Sequence, residues 1–212
     1  MIEHVYARAA AAPGVDAVVV ATDDARIEQA VKNFGGIVRT TSAKHRTGLD
    51  RIAEVAADLA CEIVVNVQGD EPLIEPQAIA ELIAPFDRDP SIQMTTLRRR
   101  ITDPDDINDR NVVKVVVDVE GNALYFSRAP IPFSFTPVHK HIGLYAYRRA
   151  FVRELAALPQ TPLEVAESLE QLRALEHGYD IRAVETHYDS IGVDTPQDLE
   201  RVRRHLTVGT RG

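Results

Sequence analysis

The chain has 212 residues, of which 45% are hydrophobic and 26% are charged, as in an ordinary soluble globular protein. Its formal net charge of −8 argues against nonspecific nucleic-acid binding, which requires a basic surface. One cysteine excludes a disulfide framework, and the sequence shows neither an apolar run of about 20 residues nor a signal peptide. We therefore expect a cytoplasmic protein with no membrane or nucleic-acid partner.

Strand and helix signals alternate along the first part of the chain. Helices are predicted at 1–12, 25–33, 49–59 and 76–86, and strands at 15–21, 37–40 and 62–67. The strands are continuous apolar, β-branched runs, which are typical of strands buried on both faces. This alternation predicts a parallel sheet with right-handed crossovers.

The alternation of strand and helix signals stops in the middle of the chain. Two strands, at 112–118 and 123–127, flank a glycine-containing hairpin turn, and a proline-rich loop follows at 130–137. The remaining predicted elements are a strand at 141–147, helices at 150–158 and 163–176, a strand at 179–186 and a last helix opened by Thr195-Pro196. We interpret the whole as one α/β domain over 1–212, with an antiparallel insertion at 112–147.

Two aspartates occupy positions where such a sheet can bind a ligand. Asp70 lies in the run Gln-Gly-Asp-Glu-Pro at 68–72, directly after a predicted strand, and ligands bind beyond the carboxyl ends of parallel strands. Asp194 stands just before the last predicted helix, and one or two protein carboxylates commonly hold Mg²⁺. The alternatives are a polar turn for Asp70 and a residue that complements a helix dipole for Asp194.

The predicted strand at 141–147 alternates in character. His141, Gly143 and Tyr145 share one face, and the backbones of His141 and Tyr145 should lie roughly 13 Å apart on an extended strand. We therefore expect these two side chains not to touch, and to flank a ligand lying over Gly143. The pattern also fits a half-exposed sheet whose aromatic residues pack under a loop.

A basic loop precedes the helix predicted at 49–59. Thr47, Gly48 and Arg51 lie at the junction of this loop with the helix N-terminus, where anions and nucleotides bind readily. The arginine run at 98–100 is more typical of a solvated edge, and we assign it no role.

In the helix predicted at 163–176, leucines form a buried stripe and Glu170, Gln171 and Arg173 point away from it. Glu170 and Arg173 also fit an ordinary surface ion pair three residues apart. Spacing alone does not separate a binding role from this structural one.

Nine segments, taken together and in order, resemble the 3-deoxy-manno-octulosonate (Kdo) cytidylyltransferase family. They are Val20-Ala-Thr-Asp23, Thr47-Gly48-x-x-Arg51, Val65-Asn-Val-Gln-Gly-Asp-Glu-Pro72, Val113-Lys-Val-Val116, Leu124-Tyr-Phe-Ser-Arg-Ala129, His141-Ile-Gly-Leu-Tyr145, Pro162-Leu-Glu164, Leu169-Glu-Gln-Leu-Arg173 and Gly192-Val-Asp-Thr-Pro196. They run from one end of the chain to the other, so their combination is specific even where single segments are not.

The resemblance implies a glycosyltransferase-A-like α/β fold with a mostly parallel sheet, Mg²⁺ as the cofactor and a homodimer. The implied reaction converts CTP and Kdo into CMP-Kdo and pyrophosphate, for lipopolysaccharide or capsule synthesis. The anomeric hydroxyl of Kdo would attack the α-phosphorus of CTP in line. Alternatives are the same chemistry on 8-amino-Kdo or sialate, and a non-catalytic binding or regulatory remnant.

The resemblance also assigns residues to three parts of a site. The implied Mg²⁺ ligands, and the implied catalytic residues, are Asp70 and Asp194. The implied nucleotide contacts are Thr47, Gly48, Arg51, Gln68 and Gly69. The implied Kdo contacts are His141, Tyr145, Glu170 and Gln171, with Arg128 as a weaker candidate for the sugar carboxylate and Arg173 as a residue that orients Glu170.

The family pattern opens on a strand and a basic loop of the form P-A-R-x-x-S-x-R-L-P-G-K-P, which grips the triphosphate. Residues 1–5 of this chain align with the helix that follows that loop. We therefore expect the natural polypeptide to extend upstream by one strand and one loop. We also expect unpaired edges on the neighbouring strands and little cytidylyltransferase activity from the 212-residue form.

Overall fold

The fold comes from a computed structural model, in which residues 1–45, 47–134, 137–189, 192–193 and 195–208 are described. The helices are α1 (Ile2–Ala10), α2 (Ala25–Asn33), α3 (Gly48–Ala57), α4 (Pro76–Arg88), α5 (Asp105–Asn108), α6 (Arg149–Ala157), α7 (Pro162–Glu167), α8 (Leu172–Glu176) and α9 (Pro196–Val208). The strands are β1 (Val19–Thr22), β2 (Ile37–Thr40), β3 (Ile63–Asn66), β4 (Met94–Arg100), β5 (Lys114–Val117), β6 (Ala123–Ser127), β7 (His139–Arg148) and β8 (Arg182–Glu185).

A small parallel sheet is formed by β1 and β2, with α2 as the crossover between them. The Asp24 side chain caps α2 by accepting a hydrogen bond from the Arg26 N–H. Gly35, with φ of 77°, turns the chain after the helix so that β2 can lie beside β1. The predicted strand at 37–40 and helix at 25–33 are confirmed.

A second sheet has six strands in the order β6-β5-β7-β4-β8, with β3 also paired to β7. The central strand β7 runs antiparallel to β3, β4 and β5, whereas β8 runs parallel to β4. The α/β class is therefore confirmed, and this sheet is mixed because β7 inserts between strands that run the same way.

Strand β4 is absent from the sequence prediction, although four successive residues from Met94 to Leu97 are buried. A strand buried on both faces shows no alternation, and the arginine run at its end resembles a solvated edge. This segment is a strand because it lies between β7 and β8, and the sequence does not reveal that position.

The strands β1 and β3 do not pair with each other. Within the described residues, β1 pairs only with β2 and β3 pairs only with β7. Helices nevertheless span the interval, because α1 contacts both α2 and α4, and α3 contacts both β1 and α6. The two sheets are thus held in place by helices on either face.

Two hydrophobic cores lie on opposite faces of the strands. One contains Leu82 of α4 with Leu97 and Leu144 of the sheet. The other contains Phe151 of α6 with Phe126 of β6 and residues of α3 and α8. No helix among the described residues is both long and apolar enough to cross a membrane.

The single helix predicted at 163–176 is wrong in one respect. The structure has two short helices, α7 and α8, because Ser168 adopts a left-handed conformation (φ 54°, ψ 48°) that ends α7. The leucine periodicity continues across the break, which is why the sequence reads as one helix. Because of the break, residues 169–171 lie between the two helices and not within a continuous helix.

Candidate active site

The loop that follows β3 leaves the sheet beside the aromatic residues of β7. Asn66, the last residue of β3, lies opposite Tyr145 in the ladder. Gln68 and Gly69 are exposed in the loop beyond it, and Asp70 is half-buried. Asp70 makes no side-chain hydrogen bond or ion pair with other described residues, so its carboxylate is available to a ligand.

Two described residues that follow β8 contact this loop. The Val193 N–H donates to the Asp70 carbonyl over 2.9 Å. The Tyr188 hydroxyl donates to Glu71 Oε2 over 2.9 Å in a buried contact. Asp194 lies outside the described residues, and its pairing with Asp70 stays a prediction.

Three of the predicted nucleotide residues, Thr47, Gly48 and Arg51, lie near the carboxyl ends of β1 and β2. Thr47 caps α3 by accepting from the Asp50 N–H over 3.2 Å, and Gly48 begins the helix. One turn later, the Arg51 guanidinium lies 3.1 Å from the Asp23 carboxylate and also donates to the Thr41 hydroxyl. Arg51 therefore ties the start of α3 to the ends of both strands.

The predicted separation of His141 and Tyr145 is wrong. Their ring centroids lie only 5.4 Å apart. The cause is a bulge in β7: consecutive residues of β4 pair with Tyr145 and Ile142, which leaves Gly143 and Leu144 outside the register. A bulge bends and shortens the strand, so the two rings meet instead of spanning a ligand over Gly143.

The two rings belong to a continuous aromatic surface. The His141 ring contacts Phe126 edge-on at 5.0 Å, and Tyr145 stacks on Tyr147 at 6.1 Å. Burial raises the pKa of Tyr145 well above its usual range, and the Glu170 carboxylate adds to the effect. Tyr145 therefore stays a neutral phenol that can donate a hydrogen bond.

His141 is held in one tautomer by Thr96, a residue that the sequence did not point to. The Thr96 hydroxyl donates to the Leu144 carbonyl over 2.8 Å, so it must accept from His141 Nε2, which is 2.9 Å away. Burial lowers the pKa of His141 to about 3, so the ring is neutral near pH 7. Its Nδ1 is left as an acceptor for a ligand hydroxyl, and the ring is a poor proton carrier.

Glu170 joins the two predicted halves of the site. Its carboxylate faces the Thr47 side chain at the start of α3, which lowers the Glu170 pKa against the larger effect of burial. The same carboxylate adds to the raised pKa values of Tyr145 and Tyr147. Two buried atoms beside this junction, Glu170 Oε1 and Gln171 Nε2, have no hydrogen-bond partner. An unpaired acceptor and an unpaired donor on consecutive residues suit a ligand that carries hydroxyl groups.

Behind Glu170 lies a buried ion pair. The Arg173 guanidinium donates through Nε and Nη2 to the two oxygens of Glu164, over 2.9 and 2.6 Å, and it lies 3.9 Å from Glu170. Burial by itself would raise the pKa of Glu164, but the bonds from Arg173 bring it below its usual value. Arg173 therefore pairs mainly with Glu164, and its ion pair with Glu170 is longer and weaker.

Arg128, the candidate ligand of the sugar carboxylate, donates hydrogen bonds to main-chain carbonyls. Its Nε donates to the Glu167 carbonyl over 2.9 Å and its Nη1 to the Arg110 carbonyl over 3.1 Å. Whether Arg128 also contacts a ligand stays a prediction.

The donor set at Asp70 fits Mg²⁺. That ion prefers oxygen ligands and is usually held by one or two protein carboxylates with water and phosphate oxygens. No cluster of three or more His, Cys, Asp or Glu side chains gathers among the described residues, so a site richer in protein ligands is not built there.

Replacing Glu170 by Gln should stabilise the free protein at neutral pH. Burial raises the pKa of Glu170 above its ordinary value of 4.5, so the folded state favours the protonated form. The stability this provides is full below pH 4.5 and is lost as the pH rises through the raised pKa. We expect Glu170→Gln to melt about 1–3 °C higher than the parent at pH 8 and at the same temperature at pH 4.

Melting curves across this pH range test the expectation. Glu62→Gln, at an exposed position, is the control and should follow the parent at every pH. A Glu170→Gln curve that runs parallel to the parent would show that the Glu170 carboxylate carries no burial cost.

The chain matches the model of a family described as cytidylyltransferase over residues 1–181. It is 56% identical over 221 residues to the 3-deoxy-manno-octulosonate cytidylyltransferase of Geobacter sulfurreducens, covering 97% of this chain and 88% of that protein. The protein of the same name from Solibacter usitatus is 54% identical over 209 residues, covering 96% of this chain and 83% of the relative.

Solved structures give the same result at the level of the fold. A CMP:2-keto-3-deoxy-manno-octonic acid synthetase in complex with CTP superimposes with a TM-score of 0.94 at 42% identity, covering 98% of this chain and 88% of the other. A 4-diphosphocytidyl-2C-methyl-D-erythritol synthase from Anaerococcus prevotii superimposes with a TM-score of 0.64 at 14% identity, covering 97% and 88%. The second similarity concerns the fold alone.

Proposed function

The chain belongs to the cytidylyltransferase family, and from that membership we propose that it transfers CMP from CTP to Kdo, giving CMP-Kdo and pyrophosphate. Relatives that share more than half of its residues carry that name, and a structural relative was solved with CTP. The chain is thus a 3-deoxy-manno-octulosonate cytidylyltransferase, a nucleotidyltransferase that acts on two small-molecule substrates.

The observation that carries the proposal is the junction between Thr47 and Glu170. Thr47 opens the helix that would contact the nucleotide, and Glu170 stands beside the aromatic surface of His141 and Tyr145. The Thr47 side chain is near enough to act on the Glu170 carboxylate, so the two candidate substrate regions lie side by side. A reaction that joins two bound molecules gains most of its rate from such placement.

The chemistry is a single in-line displacement. The anomeric hydroxyl of Kdo gives up its proton to water as its oxygen forms a bond to the α-phosphorus of CTP. The bond from that phosphorus to the β-phosphate oxygen breaks, and pyrophosphate leaves with the electron pair. The residues of this chain bind and orient. Glu170 Oε1 accepts from a sugar hydroxyl, Gln171 Nε2 donates to a sugar oxygen, and His141 Nδ1 accepts from another hydroxyl.

We further propose that Asp70 and Asp194 hold Mg²⁺. A bound divalent cation neutralises charge on the phosphates and on the leaving pyrophosphate. The half-buried Asp70 carboxylate supports this assignment, together with the hydrogen bond that brings residue 193 against residue 70.

We propose a cytoplasmic homodimer that supplies CMP-Kdo to lipopolysaccharide or capsule synthesis. Support for the dimer comes from β6, the edge strand of the six-stranded sheet, which presents Leu124 with 62% of its surface exposed. Light scattering on the purified chain decides the matter, since a particle of monomer mass at micromolar concentration contradicts it.

Pyrophosphate release with CTP, Kdo and Mg²⁺ tests the proposed function. The 212-residue chain is assayed beside a version that carries the family's opening strand and basic loop ahead of Met1. We expect turnover with Kdo to exceed turnover with sialate, and 8-amino-Kdo serves as a third acceptor. A preference for either of the other acceptors would reassign the sugar, and no CTP binding by either version would contradict the nucleotidyltransferase activity.

A further inference from the structure

The turn between α7 and α8 holds a strained residue directly before the candidate sugar-binding residues. Ser168 is the one non-glycine residue with positive φ among those that the structure describes. The left-handed region is unfavourable for a residue with a Cβ atom, because that atom crowds the following carbonyl. Glu170 and Gln171 follow it directly after Leu169, and their Oε1 and Nε2 atoms are buried without a hydrogen-bond partner among the described residues. Something must hold the turn in place.

A reciprocal set of hydrogen bonds surrounds that turn. The Glu167 carboxylate accepts from the Arg128 N–H over 2.9 Å and from the Ser127 hydroxyl over 2.8 Å. In return, the Arg128 side chain donates through Nε to the Glu167 carbonyl over 2.9 Å and through Nη2 to the Ser168 carbonyl over 3.5 Å. The Glu167 side chain thus bonds the main chain of Arg128, and the Arg128 side chain bonds the main chain of Glu167 and Ser168.

This arrangement fastens the end of β6 to the end of α7. Burial would raise the pKa of Glu167, but the donors from Arg128, Ser127 and Tyr125 outweigh it and leave the pKa below its usual value. Glu167 is therefore ionised near pH 7, when its bonds to these donors are strongest. Strand β6 is in turn anchored by β5, so the turn is fixed to the rigid sheet.

We propose that Glu167 and Arg128 are positioning residues for the sugar site: together they hold Ser168 in its left-handed conformation and so aim Glu170 and Gln171 at the sugar acid. The proposal rests on the proposed function, since it concerns the Kdo half of the same site. It gives Arg128 a role through the turn, distinct from the direct contact with the sugar carboxylate that the family resemblance implies.

A glycine at position 168 separates these two roles. Glycine enters the left-handed region without the Cβ penalty, so it should keep the turn in place when the bonds around it are weakened. If Glu167 and Arg128 act by holding the turn, Ser168→Gly should rescue their substitution. If Arg128 instead bonds the sugar directly, a glycine at 168 could not restore that bond.

The test is calorimetric titration of Kdo and, separately, of CTP with Mg²⁺, on the parent and on Glu167→Gln, Arg128→Lys and each of these combined with Ser168→Gly. We expect each single variant to bind Kdo roughly tenfold more weakly, with CTP affinity changed less than about twofold. Adding Ser168→Gly should recover at least about threefold, and Ser168→Gly alone should bind like the parent. Hydrogen exchange of the amides at 168–172 should be faster in the single variants and slower again in the combined ones.

The outcomes separate the possible failures. A parent chain that binds CTP but no Kdo contradicts the sugar assignment of the proposed function. A parent that binds Kdo, with Glu167→Gln equal to it, overturns the positioning role. Weakened binding that Ser168→Gly does not rescue, with unchanged exchange at 168–172, also overturns it and returns Arg128 to direct contact with the sugar.

Discussion

Asp70→Asn should lower the rate of pyrophosphate release by about 10²–10³-fold while leaving the fold intact. The substitution keeps the size of the side chain and removes its charge, which is what a Mg²⁺ ligand contributes. Asp70 makes no side-chain bond with other described residues, so the melting temperature should stay within about 2 °C of the parent.

Two measurements make this expectation specific. Electron paramagnetic resonance of bound Mn²⁺ reports on the cation site independently of turnover. Asp70→Asn should abolish this binding. Glu75→Gln, an exposed carboxylate just beyond the same loop, is the control and should keep both cation binding and activity. Substantial activity in Asp70→Asn would remove Asp70 from the metal site.

Arg173→Met should be the most destabilising substitution near the site. Arg173 and Glu164 have only 6% and 5% of their side-chain surface exposed, and they share two hydrogen bonds. Removing the guanidinium leaves the Glu164 carboxylate buried without its counter-charge, at a cost of about 3–5 kcal/mol. For a chain of this length, the melting temperature should fall by roughly 6–20 °C.

The pH dependence of this destabilisation has a definite sign. In the parent, Arg173 keeps the pKa of Glu164 below its usual value, so the pair stabilises the fold above that value and this stability is lost as the pH falls. In Arg173→Met, burial acts on Glu164 without the opposing hydrogen bonds and charge of Arg173, so the pKa of Glu164 should rise. The loss of stability in Arg173→Met relative to the parent should therefore be largest near pH 7. It should shrink toward pH 4, as Glu164 takes up a proton.

Two comparisons complete the experiment. Arg203→Met removes the arginine from an exposed pair with Glu200 and should change the stability by less than about 0.5 kcal/mol. Combining Arg173→Met with Glu164→Leu should be more stable than Arg173→Met alone, because no buried charge is left over. A double variant as unstable as the single one would locate the destabilisation in packing and not in charge.

The places of several candidate residues in the fold could be predicted from the sequence, because strand ends and helix starts are local signals. Thr47 was predicted at the start of a helix, and its hydroxyl caps α3. Asp70 was predicted beyond a buried strand, and it follows β3. The partners of these residues were not accessible, because nothing local to position 47 or 70 indicates Glu170 or residue 193.

Two structural predictions failed for the same reason. The distance between His141 and Tyr145 assumed a regular strand, whereas the pairing of β7 with β4 introduces a bulge. The helix at 163–176 assumed that leucine periodicity implies continuity, whereas Ser168 breaks it in a turn bonded to Arg128 and Glu167. Both departures involve contacts with residues distant in the chain.

The α/β class, most helices and strands and the family could all be predicted from the sequence. These depend on periodicity, capping and motif order, which are properties of neighbouring residues. Only the tertiary structure decided that β4 lies beside the centre of a mixed sheet, that His141 and Tyr145 meet, and that Glu164 neutralises Arg173. Strand register and the pairing of buried charges depend on contacts between distant segments, which become defined only when the chain is folded.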